Sequence, residues 1–209
     1  MEQTNTMDKM IIIHRVNTIE ELRSIPSKYG VEIDVRGFGN KLFLNHNTID
    51  PEKKYDELEE YLMNFNHAFV IFNIKEAGYE DRVIELAKKH NIENYFLLDC
   101  EFPFIYKATR KDGFKKIAIR FSEAEPIEMV ESQVKNGLPL ADWVWIDTNT
   151  KLPLDEGVIE KLKPFKTCLV CPERWSRPED IETYKEKMRS FNFEPTAIMT
   201  AINYANNWE

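Results

Sequence analysis

The sequence predicts a compact (β/α)8 barrel, a TIM barrel of the α/β class, in one domain. Three observations lead there. Apolar, β-branched runs recur eight times along the 209 residues, separated by amphipathic segments, as strands and helices alternate around a parallel sheet. The runs are rich in Val, Ile and Phe through most of their length, as expected when both faces of a sheet are covered. No G-x-G-x-x-G follows the first run, which argues against the open, doubly wound alternative. Barrels of this kind typically need ~250 residues, so short loops are expected.

The expected strands are residues 10–15, 31–36, 68–74, 94–99, 116–121, 142–147, 167–171 and 196–200. The expected helices are residues 18–28, 55–64, 79–90, 101–109, 126–136, 155–163 and 178–190. The first strand, MIIIHR, is centred on three consecutive β-branched isoleucines. The helix after it opens on Thr18-Ile-Glu-Glu21, a capping-box pattern in which a hydroxyl acceptor is followed three residues later by Glu. The second strand, VEIDVR, puts Glu32, Asp34 and Arg36 on one face and Val31, Ile33 and Val35 on the other. The apolar face belongs against helices, so the charged face points into the barrel mouth. KLFLNH at 41–46, after Gly37 and Gly39, reads as a β-extension folding back over the second loop. In the third strand Asn73 and Lys75 share a face. Val83, Leu86 and Ala87 recur at helical spacing in 79–90. Trp143 and Trp145 face the same way along the sixth strand and are assigned to packing. Pro178 followed by Glu179 and Asp180 makes a favourable first turn for the last helix, since Pro needs no amide partner and acids complement the dipole.

Composition excludes several classes. Hydrophobic residues make up 43% of the chain, enough for a substantial core. With 28 basic and 36 acidic residues the formal charge is −8, which argues against a general nucleic-acid binder. No apolar run approaches the ~20 residues of a membrane span, so no integral membrane segment is expected. Cys168 and Cys171, in TCLVCP, lie three apart and so on opposite faces of a strand. No second CxxC completes a zinc site and Cys100 leaves an odd count. The cysteines therefore read as buried and structural, consistent with a reducing cytoplasm. MEQTNTMDKM lacks the apolar centre of a signal peptide. Residues 1–9 are expected as a flexible tail and residues 10–209 as the barrel, located in the cytoplasm; the sequence does not fix an oligomeric state.

Functional groups of a parallel barrel gather at the C-terminal ends of its strands. Those ends carry His14 and Arg15; Glu32, Asp34 and Arg36; Asn73 and Lys75; Asp99 and Glu101; Arg120; Asp147; and Glu173, with His46 on the extension. Hydrophobic burial does not call for such residues. Chemistry on a charged small molecule, a phosphate ester handled with a divalent cation, does. Two carboxylates two residues apart on one face repel unless neutralised. Arg36, Lys75 or a hard cation such as Mg²⁺ or Ca²⁺ could neutralise them. Arg36, Arg120, Asp99 and Asp147 are candidate substrate-binding groups at the mouth.

Over residues 10–75 the motifs H-R, E-I-D-V, L-F-L-N-H and N-I-K resemble the glycerophosphodiester phosphodiesterases. More broadly they resemble the phosphatidylinositol phospholipase C-like phosphodiesterase superfamily. The resemblance implies that His14 and His46 form a general acid/base pair, and that Glu32, Asp34 and Asn73 ligate the metal. It implies that Arg15 and Lys75 stabilise charge on the phosphoryl oxygens of a phosphodiester substrate. Asn73 stands where that pattern usually has Glu, so a weakly held metal is expected. An insertion that shapes the glycerol-side pocket is missing after Asn47. A second reading is therefore a degenerate barrel that binds a phosphorylated ligand without turning it over. A third is another barrel enzyme, such as a sugar-phosphate lyase or isomerase.

Overall fold

The computed structural model describes residues 9–209. Apart from Lys9, the expected tail lies outside the described residues. In chain order the strands are β1 (Met10–Ile13), β2 (Gly30–Phe38), β3 (Lys41–Leu44), β4 (Val70–Ile74), β5 (Tyr95–Leu98), β6 (Ala118–Phe121), β7 (Val134–Lys135), β8 (Leu138–Pro139), β9 (Trp143–Ile146), β10 (Lys166–Val170) and β11 (Ala197–Thr200). The α-helices are α1 (Ile19–Ser24), α2 (Leu58–Met63), α3 (Glu80–Lys89), α4 (Phe102–Lys107), α5 (Ile127–Glu131), α6 (Glu156–Leu162), α7 (Asp180–Ser190) and α8 (Ala205–Trp208).

Eight strands pair in parallel in the order β5-β4-β2-β1-β11-β10-β9-β6, while β3 pairs antiparallel with β2. Ignoring β3 and the β7–β8 hairpin, neighbours in sequence are neighbours in space. A single parallel bridge, Leu97 to Ile117, joins β5 to the approach to β6. There the Leu97 amide donates to the Lys116 carbonyl at 2.9 Å. The result is the nearly closed eight-stranded barrel the alternation predicts.

Period-2 alternation sorts the strand residues into two cores. Ile12, Ile71, Phe96, Trp143, Cys168 and Met199 fill the barrel. Ile13, Val31, Ile33, Phe72, Val144 and Ile198 pack outward in the larger core that the helices cover. Cys168 falls inside and Cys171 outside, as their spacing requires. Trp143 packs against Phe96 and Phe69 at centroid distances of 4.9 and 5.3 Å. Gly30 closes this region: a Cβ there would collide with the side chains of Ile12 and Phe69.

Local signals set both ends of α1. Thr18 accepts from the Glu21 amide at 3.1 Å, and the Glu21 carboxylate accepts from the Thr18 amide at 3.0 Å, completing the capping box. α1 stops at Ser24, short of the expected 28, because Pro26 pushes Ile25 into extended backbone. The helix expected over 101–109 ends at Lys107 and continues as a π-turn to Asp112. α8, which was not expected, follows β11 and completes the eighth β–α unit.

The expected helix 126–136 is the largest correction. It ends at Glu131, and β7 and β8 form a hairpin in its place. Asn136 (φ 53°) and Gly137 (φ 76°) form the turn, the left-handed pair that two-residue hairpins favour. Gly137→Val is expected to lower stability by about 1 kcal/mol, measurable as a shift of the urea midpoint. An unchanged midpoint would count against that turn. Among the described residues no helix is long and apolar enough to cross a membrane.

Candidate active site

The barrel mouth is built from chain turns that follow the strands. Beyond β1, the His14 amide bonds to the Thr200 carbonyl at 3.0 Å, which fixes it beside β11. Arg15 then takes a left-handed conformation (φ 55°) and aims its amide at Glu32 Oε2, 2.9 Å away. A non-glycine residue held there is uncommon and stores strain. The expected inward face of β2 is realised: Glu32 and Asp34 are each 1% exposed.

Every carboxylate oxygen of this pair meets a protein donor. Glu32 Oε1 accepts from Asn73 Nδ2 at 2.8 Å. Asp34 Oδ2 accepts from Asn17 Nδ2 at 2.9 Å, while Asn17 Oδ1 takes the Asp34 amide at 2.8 Å. Asp34 Oδ1 faces Lys75 Nζ at 3.1 Å and His46 Nδ1 at 3.2 Å. Lys75 also reaches Asp99, 3.5 Å away.

β3 returns the chain over the mouth and delivers His46. Arg15 donates to His46 Nε2 at 2.9 Å, so that nitrogen accepts and Nδ1 carries the proton towards Asp34. Asp34 thereby fixes both the tautomer and the ring orientation. At the rim, Arg120 bonds Glu125 (2.7 Å), Asp99 (2.9 Å) and Asp147 (3.0 Å). Asp147 also accepts from Trp175 Nε1 at 2.9 Å.

These groups enclose a cavity of about 150 Å³. His14, Arg15, Glu32, Asp34, His46, Asn73, Lys75, Asp99, Arg120 and Asp147 all line it. Glu101 and Glu173 of the strand-end groups do not, nor, alone of the candidate catalytic, substrate-binding and metal residues, does Arg36. Its guanidinium bonds the His46 carbonyl (2.9 Å) and Glu76 (3.1 Å), so it braces the His46 loop from outside. β2 runs on past the mouth to pair with β3, which carries Arg36 beyond the cavity despite its shared face. Glu173 turns instead to the Thr200 hydroxyl. Asn17, Trp145 and Arg174 belong to the site and were not predicted for it. A wider groove of about 580 Å³ adjoins through Asn17, between Phe38, Phe43 and Tyr55, but holds neither histidine nor the acid pair.

Burial shapes the titration of these groups. Desolvation, reinforced by Arg174 and Arg15, lowers the His14 pKa to about 3. Desolvation, then the charge of Asp34, raises Glu32 to about 7. Burial also pushes Asp34 upward, but hydrogen bonds from Asn17, His46 and Lys75 and the Lys75 charge outweigh it, leaving a net lowering. His14 is therefore neutral across the physiological range. Its neutral burial favours the fold above the unfolded value of 6.5, and that contribution is lost as pH falls towards 3. In a histidine NMR titration, His14 should stay neutral down to at least pH 5, and Arg174→Gln should move its midpoint upward. A midpoint near 6.5, the ordinary histidine value, would contradict this environment.

Glu32, Asp34 and the Asn73 side-chain oxygen are the hard oxygen donors that Mg²⁺ or Ca²⁺ takes. Asn73 Oδ1 is buried without a hydrogen-bond partner. The donor chemistry therefore fits a divalent cation. Among the described residues no three His, Cys, Asp or Glu side chains form a metal-binding group, so Asn73 is the third donor this set offers.

No family model and no curated protein matches the sequence. Solved structures do match the fold. A glycerophosphodiester phosphodiesterase from Agrobacterium tumefaciens str. C58 aligns with a TM-score of 0.64 at 12% identity. That alignment covers 96% of this chain and 98% of that one. A glycerophosphoryl diester phosphodiesterase from Parabacteroides distasonis ATCC 8503 aligns with a TM-score of 0.62 at 14% identity, over 96% of this chain and 85% of that one. The chain thus has the fold of solved glycerophosphodiester phosphodiesterases over nearly its whole length.

Proposed function

We propose that the protein is a phosphodiesterase-type hydrolase acting on a small phosphodiester of a polar alcohol. The observation that carries this reading is two histidines facing one cavity above a buried, co-facial pair of carboxylates. The shared fold supports it. The cavity, about 150 Å³ and lined with charge, suits a compact polar head.

His14, neutral in the free protein, is the general base: the negative charge of a bound phosphodiester raises its basicity, and it takes the proton from the attacking hydroxyl or water. His46 is the general acid for the departing alkoxide, because Asp34 can stabilise the imidazolium that protonation creates. Arg15 bridges to His46 in the free protein. A phosphodiester draws its guanidinium onto a phosphoryl oxygen and frees His46 Nε2, which takes up a proton from solvent and then gives it to the leaving alkoxide. Lys75, placed between Asp34 and Asp99, presents positive charge to the same oxygens. A divalent cation held by Glu32, Asp34 and Asn73 would polarise the phosphoryl group and offset its charge in the transition state. Lys75 and the Asn73 amide already sit on those carboxylates, so binding of Mg²⁺ or Ca²⁺ is expected to be weak.

The test is hydrolysis of a phosphodiester panel, including bis(p-nitrophenyl) phosphate, with and without Mg²⁺ or Ca²⁺, against His14→Ala and His46→Ala. Variants as active as the wild type would remove these roles. The full engagement of the acid pair by protein donors favours one other reading, a barrel that binds a phosphorylated ligand without cleaving it. Calorimetry that detects binding while the panel stays intact would select it.

A further inference from the structure

Most cations at the mouth are committed to protein partners. Lys75 lies between two aspartates, Arg120 among three carboxylates, and Arg36 against Glu76 and a carbonyl. Arg174 is different. It follows β10 on a 3-10 turn, Pro172–Trp175, and lines the cavity. Among the described residues its guanidinium pairs with no carboxylate and donates to no side chain. It lies over the Trp175 ring, 5.4 Å from the centroid. Trp175 is in turn fixed by its bond to Asp147.

One further donor shares this condition. Trp145 is 4% exposed and its Nε1 meets no acceptor. Arg15 Nε is also buried without a hydrogen-bond partner, but its guanidinium is already engaged, 3.9 Å from Asp34 Oδ2 and bonded to His46 Nε2. Buried N–H groups without acceptors are rare in folded proteins. Here Trp145, Arg174 and Arg15 line one cavity, and β9, β10 and β1 supply them. The acid pair and Asn73 come instead from β2 and β4.

We propose that Arg174 and Trp145 Nε1–H form an anion pocket on the β9–β10 side of the mouth, across the ring from β2 and β4, and that it receives a phosphoryl oxygen shared with Arg15. The pocket deepens the phosphodiesterase reading by naming how the substrate's anionic group is oriented, and it rests on that reading for the identity of the group. Arg174, stacked over Trp175, and the buried Trp145 indole are held in place before the ligand arrives and need no reorganisation to meet charge. The pocket selects an anionic phosphoryl group with a free oxygen on this side. It acts whether or not a metal sits opposite.

Trp145 supplies a direct readout. Inorganic phosphate is titrated into the full-length protein with EDTA present, and the indole N–H signals are followed by NMR; Trp145→Phe identifies the Trp145 signal. The expected result is a saturable downfield movement of that signal, with phosphate affinity at least tenfold weaker in Arg174→Gln and partly restored in Arg174→Lys. A Trp145 signal that stays fixed, wild-type affinity in Arg174→Gln, or no phosphate binding at all would overturn the pocket. Loss of phosphodiester hydrolysis with this response intact would overturn the hydrolase reading and leave the pocket standing.

Discussion

His46→Ala is expected to lower kcat/KM for a cleaved phosphodiester by about 10²–10⁴-fold, the range for loss of a positioned general acid or base. The ring is 41% exposed, so its removal opens no core cavity and stability should hold. Asp34→Asn should act in the same direction through a different cause. An amide at this position cannot stabilise the imidazolium, and it would turn a donor towards His46, Lys75 or Asn17. The two variants should therefore be similarly slow, and the double variant little slower than either, because residues acting as a unit are not additive. A leaving group that needs no proton, such as p-nitrophenolate, should shrink the His46 deficit. Activity within twofold of wild type on an alkyl leaving group would exclude the acid role.

The second large effect is on stability. Glu32 titrates at about 7 in the fold against 4.5 for an unperturbed Glu. Between those values the folded chain binds more protons than the unfolded one, so stability falls as pH rises through the window. Below 4.5 the group is neutral in both states; above 7 the full charge is buried at a cost. Glu32→Gln removes that charge. It should leave stability nearly unchanged at pH 4 and raise it by roughly 2–3 kcal/mol at pH 8 in EDTA. Gln can still accept the Arg15 amide and can donate to the unpartnered Asn73 oxygen. His14 contributes the opposite slope, but to both proteins, so the difference isolates Glu32. Mg²⁺ should narrow the gap by stabilising the wild type. Parallel stability curves for the two proteins from pH 4 to 8 would show that Glu32 is not strained by its charge.

Much of this was legible in the sequence, because strand periodicity is strict. A period of two sends Glu32 and Asp34 inward whenever Ile33 is outward, and the same rule sorts Cys168 from Cys171. Sequence order became spatial order because each strand is followed by a crossover to its neighbour. The failures have local causes. Asn136-Gly137 is a hairpin turn signal, but the apolar spacing of Ile127, Val130 and Val134 fits a helix equally well. Arg36 obeys its period and still misses the cavity, because β2 outlasts the barrel. Arg174 and Asn17 sit in loops beyond the last polar residue of a strand, where periodicity carries no information. Trp145 was read as packing; its ring does pack, and only the unpaired Nε1 shows a second use.

The lone bridge between Leu97 and Ile117 makes the barrel a hoop with one loose joint. A hoop under load opens at its weakest join, so amide exchange should be fastest along β5 and β6. Directly above that join, Asp99 and Arg120 face each other from its two sides at 2.9 Å, like the halves of a clasp. Whatever occupies the mouth and engages both would tighten the whole ring. Slower exchange at the join on loading would then report occupancy from the far end of the strands.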